Sequence, residues 1–265
     1  RKLSMYSREK NRYFGQPWQQ TKGEMIMTRD LELIDRFINE FYGYGNYEGE
    51  FWFIGMEEGG GKSLDEIQKR LNVWKKRQRG EVEDLIGFHR EIGLGDYFNE
   101  RPKLQRTWNA LIRMFLCYRG QEPSREDVRD FQKETFGQSG GDICLLELFP
   151  LPSPATSNWL YGKYFTQPYL ASRRKYRDTF KAKREKHLKQ KIEEHKPEIV
   201  VFYGLGYRPH WEQIAQITFQ MVEAGFFEGS SDSTNYIIAK HPASVGVKHE
   251  YFQTIGRYLK NKLKN

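Results

Sequence analysis

Cysteine is scarce: the 265 residues hold only Cys117 and Cys144. Two cysteines cannot build a disulfide framework, and no Cys/His cluster has the spacing of a zinc or iron–sulfur site. A reducing compartment fits best, and nothing calls for a metal or other cofactor. Long apolar runs are missing as well. No stretch of about 18 apolar residues is present to span a bilayer, and Arg1 to Lys10 lack the apolar segment of a secretory signal. The expectation is a soluble, cytoplasmic, monomeric protein. With neither internal repeats nor a low-complexity linker, the simplest division is one domain over residues 1–265 with an N-terminal extension over 1–27.

Positive charge is plentiful and unevenly spread. The net charge is +8, from 43 Lys and Arg against 35 Asp and Glu. Between Arg173 and Lys191 there are ten Lys/Arg against two acids, Asp178 and Glu185, which matches the whole excess. Such a stretch attracts polyanions by counterion release, or else it is a solvated helix face. Arg173, Arg174 and Lys175 head it and are candidate phosphate contacts. Sixteen Tyr, eighteen Phe and six Trp supply stacking surface for bases, most of it needed for the core.

Four short apolar runs read as buried strands: Phe51 to Ile54, Ile143 to Leu146, Ile199 to Tyr203 and Tyr236 to Ala239. Helical spacing predicts helices over Thr28 to Tyr42, Leu64 to Ile92, Leu104 to Tyr118, Arg125 to Phe136, Ala171 to His195, His210 to Ala224 and Val247 to Leu263. Phe136 to Gly141 and Phe227 to Thr234 read as mobile loops. Alternating strands and helices predict an α/β fold, three layers (α/β/α) around a central four-stranded, mostly parallel sheet. Ligands of such folds bind outside the carboxyl ends of the strands, which is where every unusual loop of this sequence falls.

The first of those loops, Gly55 to Gly61, carries three adjacent glycines that let backbone approach a ligand. It is not a triphosphate cradle, because Gly55 and Gly60 are followed by Gly61 where a P-loop needs lysine, and Glu57 and Glu58 would repel the phosphates. The loop after the fourth strand, Lys240 to Ser244, places His241 at a strand end, where it can donate to a ligand oxygen.

Taken together these segments resemble the uracil-DNA glycosylase superfamily. Gly55-Met56-Glu57-Glu58-Gly59 stands where the family has Gly-x-Asn/Asp-Pro-Gly after a strand, and Glu147 aligns with its base-reading asparagine. Lys196-Pro197 before the third strand and His241-Pro242-Ala243-Ser244, with one inserted residue against His-Pro-Ser, complete the match over Phe51 to Ser244. The resemblance implies a glycosylase that flips a base from DNA and hydrolyses its N-glycosidic bond. Glu57 would position or deprotonate water and stabilise the sugar cation, and His241 would bond to the base's O2. Gly55, Met56 and Phe149 would line the base pocket, while Gly59, Gly60, Gly61, Lys62 and Ser244 would approach the DNA.

Two departures from the family pattern bear on substrate. Glu58 replaces a proline and is either a second pocket acid or a partner for Lys62. Glu147 replaces an amide that both donates and accepts, whereas an ionised carboxylate only accepts. It suits the exocyclic amine of a cytosine, and since removing unmodified cytosine would destroy the cell's own genome a modified cytosine is the sensible target. The resemblance extends to family members that excise bulky modified cytosines from foreign or viral DNA. Alternatively Glu147 pairs with a nearby Lys or Arg, the substrate is uracil or another deaminated base, or the protein binds DNA without catalysis. Trp74, Phe88, Tyr97, Phe98 and Phe149 are all candidates to stack on the base.

Overall fold

The computed structural model describes residues 31–155 and 157–263. The extension over 1–27 and Thr28, the expected helix start, lie outside the described residues. Helix α1 occupies 31–40. It is followed by β1 (Gly43–Gly45), β2 (Phe51–Glu57), α2 (Leu64–Lys76), β3 (Val82–Glu83), α3 (Leu85–Glu91), α4 (Arg106–Tyr118), α5 (Arg125–Glu134) and β4 (Ile143–Phe149). The chain continues through α6 (Tyr161–Tyr164), α7 (Arg173–His195), β5 (Ile199–Tyr203), α8 (Arg208–Ala215), β6 (Gln220–Val222), β7 (Phe226–Ser230), β8 (Asn235–Ala239) and α9 (His249–Leu263).

The expected four strands are present and mutually parallel, in the order β4-β2-β5-β8. They are only the centre of the sheet. Among the described residues it has eight strands in the order β3-β1-β4-β2-β5-β8-β7-β6 and is mixed, because β1 runs antiparallel to β4 and β6 and β7 form an antiparallel edge. The flanking strands escaped sequence reading for physical reasons. Three residues of β1 and two of β3 are too short to show alternation, and β7 occupies the segment expected as a mobile loop.

Two expected helices are also shorter or broken. The Leu64 to Ile92 pattern is two helices, because Gln78 and Arg79 take left-handed backbone (φ 68° and 61°) and Gly80 follows. Trp74 fastens that turn by donating to the Gly80 carbonyl at 2.9 Å, and Asp84 restarts the helix by accepting from the Gly87 N–H at 2.7 Å. The His210 to Ala224 pattern stops at Ala215, where Gln216 adopts φ 54° and the chain turns into β6.

Buried residues from Leu33 to Leu259 form one hydrophobic cluster, with Phe51, Trp52, Phe53 and Ile54 of β2 wholly enclosed. Arg184 of α7 is buried within it. Its guanidinium donates to the carbonyls of Leu148, Ile38 and Glu147 and lies 3.8 Å over the Tyr42 ring, tying α7 to the end of β4. Cys117 and Cys144 are free and buried. Among the described residues no helix is long and apolar enough to cross a membrane.

Candidate active site

Because the central strands are parallel, their carboxyl ends share one edge of the sheet, and a cleft of about 840 Å³ opens there. Its walls are Met56 to Gly59 after β2, Glu147 and Ser153 to Ala155 from β4 and its loop, Tyr203 to Tyr207 after β5, and Lys240, His241 and Ala243 to Val247 after β8. Gln105, Thr107 and Trp108 at the start of α4 complete it.

Glu57 ends β2 with a side chain only 8 % exposed. Arg173 holds one of its carboxylate oxygens and Arg177 the other, the latter at 2.8 Å. Burial pushes the Glu57 carboxyl above the usual range against the opposing pull of these arginines. Both come from the first turns of α7, whose start is fixed by Ser172 accepting from the Lys175 N–H. Arg173, expected on DNA phosphate, is therefore committed elsewhere: it also donates to Ser153 Oγ and to the carbonyls of Ala155 and Asn158, at 2.7 and 2.8 Å. Arg174 and Lys175 remain exposed.

Glu58 does not meet Lys62. Its carboxylate accepts from the Tyr44 hydroxyl at 2.9 Å, from Arg70 at 2.8 Å and from His89 at 3.2 Å. Although burial opposes its charge, Arg70 and His89 bring Glu58 down to about 2. It is a fixed anion in the wall of the cleft.

Glu147 pairs with no Lys or Arg among the described residues. Tyr203 donates to its Oε1 at 2.8 Å, while Oε2 is shut from solvent without a hydrogen-bond partner there. Burial pushes the carboxyl up to about 8, Tyr203 opposes, and the charges on Glu58 and Glu57 add to the rise. Gly55 explains how this group fits. In the β2–β4 register it lies opposite Glu147, and a Cβ on it would stand 2.2 Å from the Tyr203 hydroxyl and 2.5 Å from Glu147 Oε2. Gly55 thus makes room for the pair and does not itself line the cleft.

His241 accepts from the Ala243 N–H through Nδ1 at 3.0 Å, which leaves the proton of the neutral ring on Nε2. Burial lowers its basicity and the positive Arg106 adds to that, so the imidazole is a neutral donor. Ser244 is exposed in the same loop, and beside it Val245 is fully exposed, at 100 %.

Phe149, expected at the base, is enclosed and packs on Tyr176 and the Arg177 guanidinium. Trp74, Phe88 and Phe98 are likewise core residues. Among the described residues the aromatic rings that reach the cleft are Trp108, Tyr203 and Tyr207, none of them marked by a motif. Gly60, Gly61 and Lys62 line a second cavity of about 560 Å³ with Lys69, Arg70 and Tyr97. Gly59, Glu58, Gln105 and Trp108 are walls of both cavities.

No protein-family model matches this chain, and no curated protein matches it.

Proposed function

We propose that the chain is a DNA glycosylase that flips a nucleotide into the 840 Å³ cleft and hydrolyses its N-glycosidic bond, with a modified cytosine as the base removed. The observation that carries this reading is Glu147: a carboxyl that stays protonated near neutrality, with one unpartnered oxygen, beside a second carboxylate and a neutral histidine. Pairs of titratable groups pushed to different proton affinities are the mark of acid–base chemistry. The same cleft suits the three-layer α/β/α arrangement around the parallel strands.

Each residue has a stated task. When the Glu147 carboxyl turns so that the enclosed Oε2 faces the cleft, its Oε2–H donates to the ring N3 of a cytosine-type base, and Oε1, which keeps a second lone pair beside its bond from Tyr203, accepts from the exocyclic amine. His241 Nε2–H supports the charge growing on O2. Glu57 takes a proton from the attacking water as the C1′–N1 bond breaks and the base departs with the proton from Glu147. Trp108 and Tyr207 supply faces for stacking, and the fully exposed Val245 on the lip is placed to enter the stack the nucleotide leaves. A substituent on the base has the second cavity, past Gly59, to occupy.

The test is a panel of DNAs carrying uracil, hypoxanthine, mismatched thymine and several modified cytosines, scored for abasic sites. Release of a modified cytosine supports the proposal. Efficient release of uracil with every cytosine derivative ignored would replace it by a deaminated-base repair activity, and tight binding with no release from any DNA would leave a binding module.

A further inference from the structure

Six of the ten basic residues in the sequence's densest positive stretch have partners within the molecule, while Arg174, Lys175, Lys181 and Lys186 stay exposed. Arg173 and Arg177 hold Glu57, Arg184 holds three carbonyls, Lys183 donates to Asn39 at 2.7 Å, Lys189 pairs with Glu193, and Lys191 lies against Glu81 and Glu194. A further group of cations gathers on the other side of the cleft wall from that helix. Arg106, Arg113, Arg125 and His249 line a surface cavity of about 440 Å³ together with Leu104 and Asn109, and among the described residues no carboxylate shares its wall.

This basic hollow adjoins the cleft. Gln105, Thr107 and Trp108 of the cleft alternate along the chain with Leu104, Arg106 and Asn109 of the hollow, and Val247 of the cleft lies two residues before His249. Neighbouring Cα atoms are about 3.8 Å apart, so the hollow begins within one or two residues of the cleft wall. Arg106 is close enough to lower the basicity of His241. Neighbouring acids are mostly engaged: Glu122 pairs with Arg257, Glu126 with Arg129, and Asp127 caps α5. Burial, with the positive Arg113 and Arg106, lowers the basicity of His249, and Glu250 next to it partly offsets this. Arg113 is held by Asn109 and the Pro123 carbonyl, both at 2.9 Å, so it forms the floor, while Arg106, Arg125 and His249 are exposed. These three are the first residues of α4, α5 and α9, where the helix dipoles add positive potential.

We infer that this hollow is a phosphodiester-binding site that grips the backbone of duplex DNA beside the nucleotide in the cleft. The inference rests on the glycosylase reading for the choice of DNA as partner. It adds Arg106, Arg125 and His249 to the phosphate contacts expected of the exposed α7 residues Arg174 and Lys175.

The experiment measures binding of an unmodified DNA duplex by fluorescence anisotropy over a range of salt concentrations, for the wild type and for Arg106→Gln/Arg125→Gln. Both arginines are exposed and carry no ion pair among the described residues, so the double variant keeps its fold, checked by its melting curve. The slope of log affinity against log salt should fall by about 1.8, which is about 0.9 for each of two phosphates no longer neutralised. If the double variant does not fold, Arg106→Gln alone should lower the slope by about 0.9. An unchanged slope overturns the assignment, as does a wild type without measurable duplex affinity or with tighter binding to an RNA duplex. Because the probe carries no target base, the two readings separate. A reduced slope with no excision from any DNA leaves this site standing without the glycosylase, and excision with an unchanged slope does the reverse.

Discussion

At the scale of single residues the cleft holds three carboxyl groups whose surroundings drive them apart. Glu58 is held down by Arg70 and His89, Glu57 is raised by burial against two arginines, and Glu147 is raised to about 8. Glu57→Gln should lower base excision by a factor on the order of 10² to 10⁴ and leave DNA affinity in place, because the amide cannot take water's proton. Single-turnover kinetics below the melting transition test this, and near-wild-type turnover removes Glu57 from the mechanism. The Glu147 shift also has a sign in stability. An unfolded chain ionises this carboxyl near about pH 4.3, while the folded protein keeps it protonated to about 8. Between those values the unfolded state binds fewer protons, so the wild type loses stability as pH rises, by at most about 1.4 kcal/mol per unit. Glu147→Gln has no such dependence. It should melt higher than wild type at about pH 8, with the difference shrinking toward about pH 5, and excision by the wild type should decline as pH passes about 8. A melting difference that does not change with pH would show that Glu147 is ionised in the folded protein.

Elements decide which of these residues meet. The register that places Gly55 opposite Glu147 leaves no room for a side chain, since a Cβ would overlap Tyr203 and Glu147 Oε2. Gly55→Ala should therefore lower both the melting temperature and excision, whereas Gly59→Ala, with nothing within 4 Å of the added carbon, should change the melting temperature little. Circular dichroism melts of the two variants decide it, and equal melting would refute the packing argument. The loop after β8 makes a second claim at this scale. Val245→Gly should slow excision from duplex DNA more than from single strands, because only a duplex requires its stack to be held open.

For the whole molecule, the cluster of buried residues from Leu33 to Leu259 joins both edges of the sheet and the helices against it. Among the described residues no break in that core separates a unit able to melt alone. Calorimetry should show one unfolding transition, with the calorimetric and van't Hoff enthalpies in agreement. Two resolved transitions would show that the β6–β7 edge or the α4–α5–α9 group unfolds independently.

What the sequence settled by itself was the local and the periodic. Runs of apolar residues with no polar interruption marked β2, β4, β5 and β8, because a strand covered on both faces must be apolar throughout. The loops at their carboxyl ends marked where a cleft would lie, and Glu57, Glu147 and His241 do line one. The sequence could not set the partners of those residues, since partnership is decided by register and packing between distant segments. Arg173 looked like a surface cation and turned inward because α7 begins beside the end of β2. Phe149 looked like a pocket residue and points into the core, while Tyr203, the last residue of an ordinary apolar strand, reaches Glu147. Arg106, Arg113, Arg125 and His249 were scattered along the sequence, and only the packing of three helices gathers them into one hollow beside the cleft.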